Sequence, residues 1–135
     1  MKKWFLQIVI MPAIIFGIHS CSDKGSSGGD ETNLAVTLNP PANSTQPAIP
    51  QIDFPLTVSI TSTMPPQGVT IDVKAAPDGS TTNFFTESTS TSSANTNFTI
   101  KNTPAGVVCV ATVTVTSKTK ATNTWTGSYR YTRKP

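Results

Sequence analysis

Two cysteines, one histidine and seven carboxylates are the side chains of this 135-residue chain best suited to nucleophilic, acid–base or metal chemistry. Asp23, Asp30 and Glu31 lie near one another close to the N-terminus; Asp53, Asp72, Asp78 and Glu87 are scattered over different elements. No spacing among them sets two carboxyls across one cleft, as glycoside hydrolysis requires. Asp78-Gly-Ser-Thr-Thr-Asn83 offers oxygen ligands at both ends for a calcium ion. It lacks the alternating ligands and terminal glutamate of a calcium loop, and Pro77-Asp78-Gly79 reads better as a turn. The expectation is no catalytic residue, no metal site and no cofactor.

The remaining candidates, His19 and Cys21, belong to an N-terminal pattern. Lys2 and Lys3 precede an apolar run over 4–18, followed by His19, Ser20 and Cys21. A run this short, broken by Pro12 and Gly17, fits an export signal rather than a membrane span of about 20 residues. It resembles the lipobox of bacterial lipoproteins, in which the cysteine becomes the lipidated first residue of the mature chain. Ser20 fits that pattern; Ile18 and His19 stand where the family prefers leucine and a small residue. The resemblance implies cleavage after residue 20 and lipidation of Cys21. The Ser20-Cys21 junction is similar to that of Bacteroidetes lipoproteins, and Ser22 in the second mature position implies the outer membrane. The periplasmic and surface faces stay open.

Cleavage would remove Lys2, Lys3 and His19, leaving eight basic and seven acidic side chains and no histidine, the commonest general base and metal ligand. That balance carries no nucleic-acid footprint. Arg130, Arg133 and Lys134 read as a solvated C-terminal cluster, with lipid headgroups as the sharper alternative. Once Cys21 carries lipid, Cys109 has no partner for an internal disulfide. Its setting, Val107-Val-Cys-Val-Ala111, predicts a buried inert thiol.

Residues 21–32 read as the lipidated cysteine and a Gly/Ser tether, and 33–135 as one domain. Threonine, serine and valine dominate that domain and no 3.6-residue period appears, which predicts an all-β fold. Strands are expected over 34–38, from Phe54 to Thr63, over 69–75, and from Val107 to Ser117 with one end covered on both faces. A final strand carries Trp125, Gly127, Tyr129 and Tyr131. The prolines between 40 and 55 predict loop or edge backbone. Phe84 and Phe85 suggest a short strand, Thr86 to Asn97 a polar edge or mobile loop, and Phe98 with Ile100 a further inward pair.

About seven short strands at roughly ten-residue spacing predict a single Greek-key β-sandwich, Ig-like in class. The stretch 33–135 resembles the immunoglobulin-like and fibronectin type III-like domains of bacterial surface proteins, most closely where Pro104-Ala-Gly106 leads into a long alternating strand. A tyrosine corner near Val107 or Val108, paired inter-sheet cysteines and a strand-C tryptophan are all missing.

Trp125, Tyr129 and Tyr131 share one face of the last strand and are the candidate ligand-binding residues. Facing outward they would form a platform for stacking sugars; facing inward they fill the core. The polar opposite set, Thr124, Thr126, Ser128 and Arg130, favours the core. The sequons at Asn43 and Asn97 count for little in a bacterial setting. The expected function is a lipid-anchored, non-catalytic cell-envelope domain binding a protein partner or serving adhesion. A carbohydrate-binding module around Trp125 is the first rival, and a periplasmic enzyme or inhibitor the second.

Overall fold

The computed structural model describes residues 31–135, which form seven antiparallel strands in two sheets and no helix. Residues 1–30, and with them Cys21 and most of the expected tether, lie outside the described residues. One sheet has three strands: β1 (Val36–Asn39), β2 (Phe54–Ile60) and β5 (Asn95–Ile100), in the order β1-β2-β5. The other has β3 (Val69–Pro77), β4 (Phe85–Thr91), β6 (Val108–Ser117) and β7 (Thr124–Thr132), in the order β4-β3-β6-β7. The chain crosses between sheets after β2, β4 and β5, so β5 returns beside β2 and β6 beside β3. This is Greek-key connectivity in an all-β sandwich.

Alternation builds the core. Leu56, Val58, Ile71, Val73, Val113 and Val115 are fully buried on the facing sides of the two sheets, each contributing about 2 kcal/mol of burial. Their neighbours along each strand are mainly Thr and Ser, which hold strand geometry while facing water. Pro55 sits within β2 without breaking it. Ile60 donates to the Ala94 carbonyl at 2.7 Å, so the even-numbered residues of β2 exchange bonds with β5 and Pro55 faces the other way. On that side β1 stops opposite Thr57, so no ladder bond is lost. The predicted turn after β3 forms, with Gly79 at φ 81°, a conformation open to glycine at little cost.

Three sequence expectations change. Strand two stops at Ile60 rather than Thr63, because the Thr61 and Ser62 amides turn back to the Ala35 carbonyl. The polar run after Phe84 is two strands: β4 reaches Thr91, and a short turn at 92–94 passes into β5 on the other sheet. The proline-rich stretch is loop and edge backbone as expected, drawn into a strap. Its residues 43–49 run parallel to β7, with Gln46 donating to the Arg130 carbonyl (2.8 Å) and Arg130 donating to that of Ser44 (2.9 Å). Finally, Val108 is 44% exposed, so β6 is not covered on both faces at its start. The strap passes along the edge of β7 and leaves the outer face beside Val108 open.

Candidate functional site

The two ends of the sandwich differ. At one end the described chain begins, and Asn123 clasps it. The Asn123 side-chain amide donates to Glu31 Oε1 (2.6 Å) and the Thr32 carbonyl (2.9 Å), and its oxygen accepts from the Leu34 amide (2.9 Å). Contacts with the domain thus extend at least to Glu31, two residues before the expected boundary. The 61–68 loop meets the β6–β7 turn here, Lys118 donating to the Gly68 carbonyl at 3.0 Å.

The opposite end holds a concave feature. A partly enclosed pocket of about 240 Å³ lies between the strap and the inner ends of β2 and β7. Pro40, Gln46, Pro47 and Ile49 of the strap form one wall; Gln51, Phe54 and Pro55 form a second; Tyr129 and Tyr131 complete it. None of these side chains carries a charge. Such a lining suits a neutral, largely apolar group, with the Gln46 and Gln51 amides as polar handles. Ile52, Val107 and Val108, the exposed large hydrophobics of the described domain, belong to the same end.

The aromatic stripe faces inward. Tyr129 and Tyr131 are 2% and 1% exposed, and Tyr131 packs on Phe54 with ring centroids 4.5 Å apart. Trp125 is half-buried against the core and its indole lies over Gly127, where any Cβ would collide with the six-membered ring. An outward sugar platform is therefore not what this strand presents. Two of the three rings instead help to line the pocket.

The two tyrosines are chemically unequal. Tyr131 shares a buried hydrogen bond with the Thr103 hydroxyl at 3.2 Å, pinning the loop before β6. No tyrosine stands near Val107 or Val108; the ring that reaches this loop comes from β7. The Tyr129 hydroxyl is buried with no partner among the described residues. Burial, and secondarily Tyr131 beside it, push the Tyr129 phenol far above its ordinary value. Burial pushes Tyr131 up to about 12, the Thr103 bond working against that and Cys109 with it. Burial also raises the Cys109 thiol, which sits in the core with its sulfur 3.6 Å from the Val107 carbonyl.

The four scattered carboxylates of the domain stay apart. Asp78 pairs with Arg130 at 3.0 Å on the surface, while Asp53, Asp72 and Glu87 sit on separate elements. No group of three His, Cys, Asp or Glu side chains comes together among the described residues. Arg133 donates to the Thr103 carbonyl at 3.1 Å, so of the basic cluster only Lys134 has no side-chain bond among the described residues. The strap's share of the pocket was missed from sequence: proline signals loop, and parallel pairing across more than 80 positions leaves no local pattern. No family model, curated protein or solved structure matches the chain.

Proposed function

We propose that this chain is a bacterial lipoprotein whose Ig-like or fibronectin type III-like domain binds a protein partner at the cell envelope without catalysis. Cys21 carries the lipid, on the outer membrane. The observation that carries the reading is the polarity of the domain. Asn123 fixes Glu31 to one end, so a tether from Cys21 enters there. The pocket and the exposed Ile52, Val107 and Val108 then stand at the end away from the bilayer, where a partner can reach them. The separated carboxylates and buried thiol support a binding role over a catalytic one.

Replacement of Cys21 by serine tests the anchor: the variant is expected in the soluble fraction, the parent with membranes. Mass spectrometry of the natural protein is expected to find an acylated Cys21 at the amino terminus. An intact Met1 or an unmodified thiol overturns the anchor. A soluble-glycan panel tests the partner class. Glycan affinity lost in Trp125→Ala with the fold retained would replace the protein-partner reading by a carbohydrate-binding one.

A further inference from the structure

Both sheets end in edge strands, and these edges are not equally protected. That of β7 is occupied by the strap. β1 has four residues and runs into Pro40. β4 carries Glu87 on its core-side face, a charge that discourages casual pairing. β5 has none of these devices: Asn95-Thr-Asn-Phe-Thr-Ile100 is regular, free of proline and free of charge.

The ladder phase shows what β5 offers. Its even-numbered residues bond to β2, so Asn95, Asn97 and Thr99 direct their backbone N–H and C=O groups to the open side. No other strand pairs there within the described residues. The short turn at 92–94 sets β4 across from β5 on this flank. A strand laid beside β5 would lie about 10 Å from the inner face of β4. That face is unfinished. Val73 and Ala75 of β3 are fully buried, whereas their β4 partners Glu87 and Phe85 are exposed and half-buried.

We propose that β5 accepts an extended strand from a partner protein by backbone pairing, with a Lys or Arg of that strand set against Glu87 and an apolar residue over Phe85. This rests on the partner-binding reading above, adds the β5 edge to the pocket end as a second contact, and names the chemistry of the strand that would bind there. A second copy does not fit. No strand of this chain carries Lys or Arg on its core side, since Lys74 and Arg130 point outward. A symmetric β5–β5 pair would also bring two Glu87 carboxylates towards each other.

The test uses the full-length protein in detergent and the peptide acetyl-Thr-Val-Thr-Lys-Thr-Val-Thr-amide, titrated beside a version with Glu in place of Lys. The Lys peptide is expected to bind about tenfold more tightly, a difference of ~1.4 kcal/mol. Glu87→Lys reverses that preference. N-methylation of the peptide at its ladder positions abolishes binding. So does Asn97→Pro, which removes an outward N–H and leaves the β2 ladder intact. Absence of binding by both peptides, or binding indifferent to N-methylation, overturns the proposal. Self-association of the parent that Asn97→Pro abolishes also overturns it, in favour of a second copy. Each result leaves the Cys21 anchor and the glycan panel to judge the broader reading independently.

Discussion

The two flanks of the sandwich solve the same problem in opposite ways. On one, the chain leaves β1 at the cis peptide Asn39–Pro40, folds along β7 and covers its edge with parallel bonds before entering β2. On the other, β4 and β5 meet through a short turn and stop, leaving backbone groups open. The closed flank holds the aromatic pairs of the described residues, the pocket and the Tyr131–Thr103 bond. The open one is mostly Ser, Thr and Asn, with Phe98 and Ile100 turned into the core, Phe85 half-buried and a single charge, Glu87, on its strands. Rigidity and availability for pairing are thus placed on different sides of one small core.

The widest contrast comes from truncating one ring on each flank. Tyr131 is almost fully enclosed, packed at a tilt against Phe54 and bonded to Thr103, so Tyr131→Ala is expected to cost ~3–5 kcal/mol. Phe85 is half-buried on a strand that packs through β3 alone, and Phe85→Ala is expected to cost about 1 kcal/mol. Urea unfolding of the two variants measures both. Equal losses would mean that the flanks are not distinct in stability.

Gly127→Ala probes the closed flank more gently. The new methyl must displace the Trp125 indole, exposing it and uncovering the core beneath, at ~1–3 kcal/mol. A red shift of tryptophan emission accompanies the loss. The double variant Gly127→Ala with Trp125→Ala should cost less than the two single costs added, because one collision is then absent.

The tyrosine pair gives a smaller effect with a sign. Tyr131→Phe is expected to cost about 1 kcal/mol, since it leaves the buried Thr103 hydroxyl unpaired. Tyr129→Phe is expected to be neutral or stabilising, because its hydroxyl is already buried without a partner. Both phenols are held above their ordinary value of 10, the neutral form being favoured in the fold. Their contribution is complete below pH 10 and is lost as pH rises through about 12 for Tyr131, and higher still for Tyr129. Alkaline unfolding followed by tyrosinate absorbance should therefore begin above pH 10, and Tyr129→Phe should move its midpoint upward. A midpoint unmoved by that variant would contradict the burial of Tyr129.

What was legible in the sequence follows from the range of each signal. Phe54-Pro-Leu-Thr-Val-Ser-Ile60 and Val69 to Ala75 announce their inward sides through strict alternation, a local property. The all-β class, the turn at Gly79 and the inward-facing Tyr129 and Tyr131 come from the same source. The strap, the pocket behind it and the clasp of Asn123 on Glu31 depend on contacts 84 to 92 positions apart, which no window contains. β4 was obscured for another reason. As an edge strand it has Ser and Thr on both faces, so burial writes no period into its sequence.

The finest probe of the open flank is Thr96, whose side chain points into the core from β5 while its hydroxyl is buried with no partner among the described residues. Thr96→Val keeps the branched shape and the β preference and removes the unpaired hydroxyl, with an expected gain of up to ~1 kcal/mol in urea unfolding. The methyl sits inside the strand, so the outward N–H and C=O groups of Asn95 and Asn97 are untouched. Strand addition at this edge should therefore survive unchanged in Thr96→Val, even as the domain becomes more stable. A variant that gained stability and lost strand binding would show that the open edge works through local looseness at Thr96 rather than through its free backbone groups.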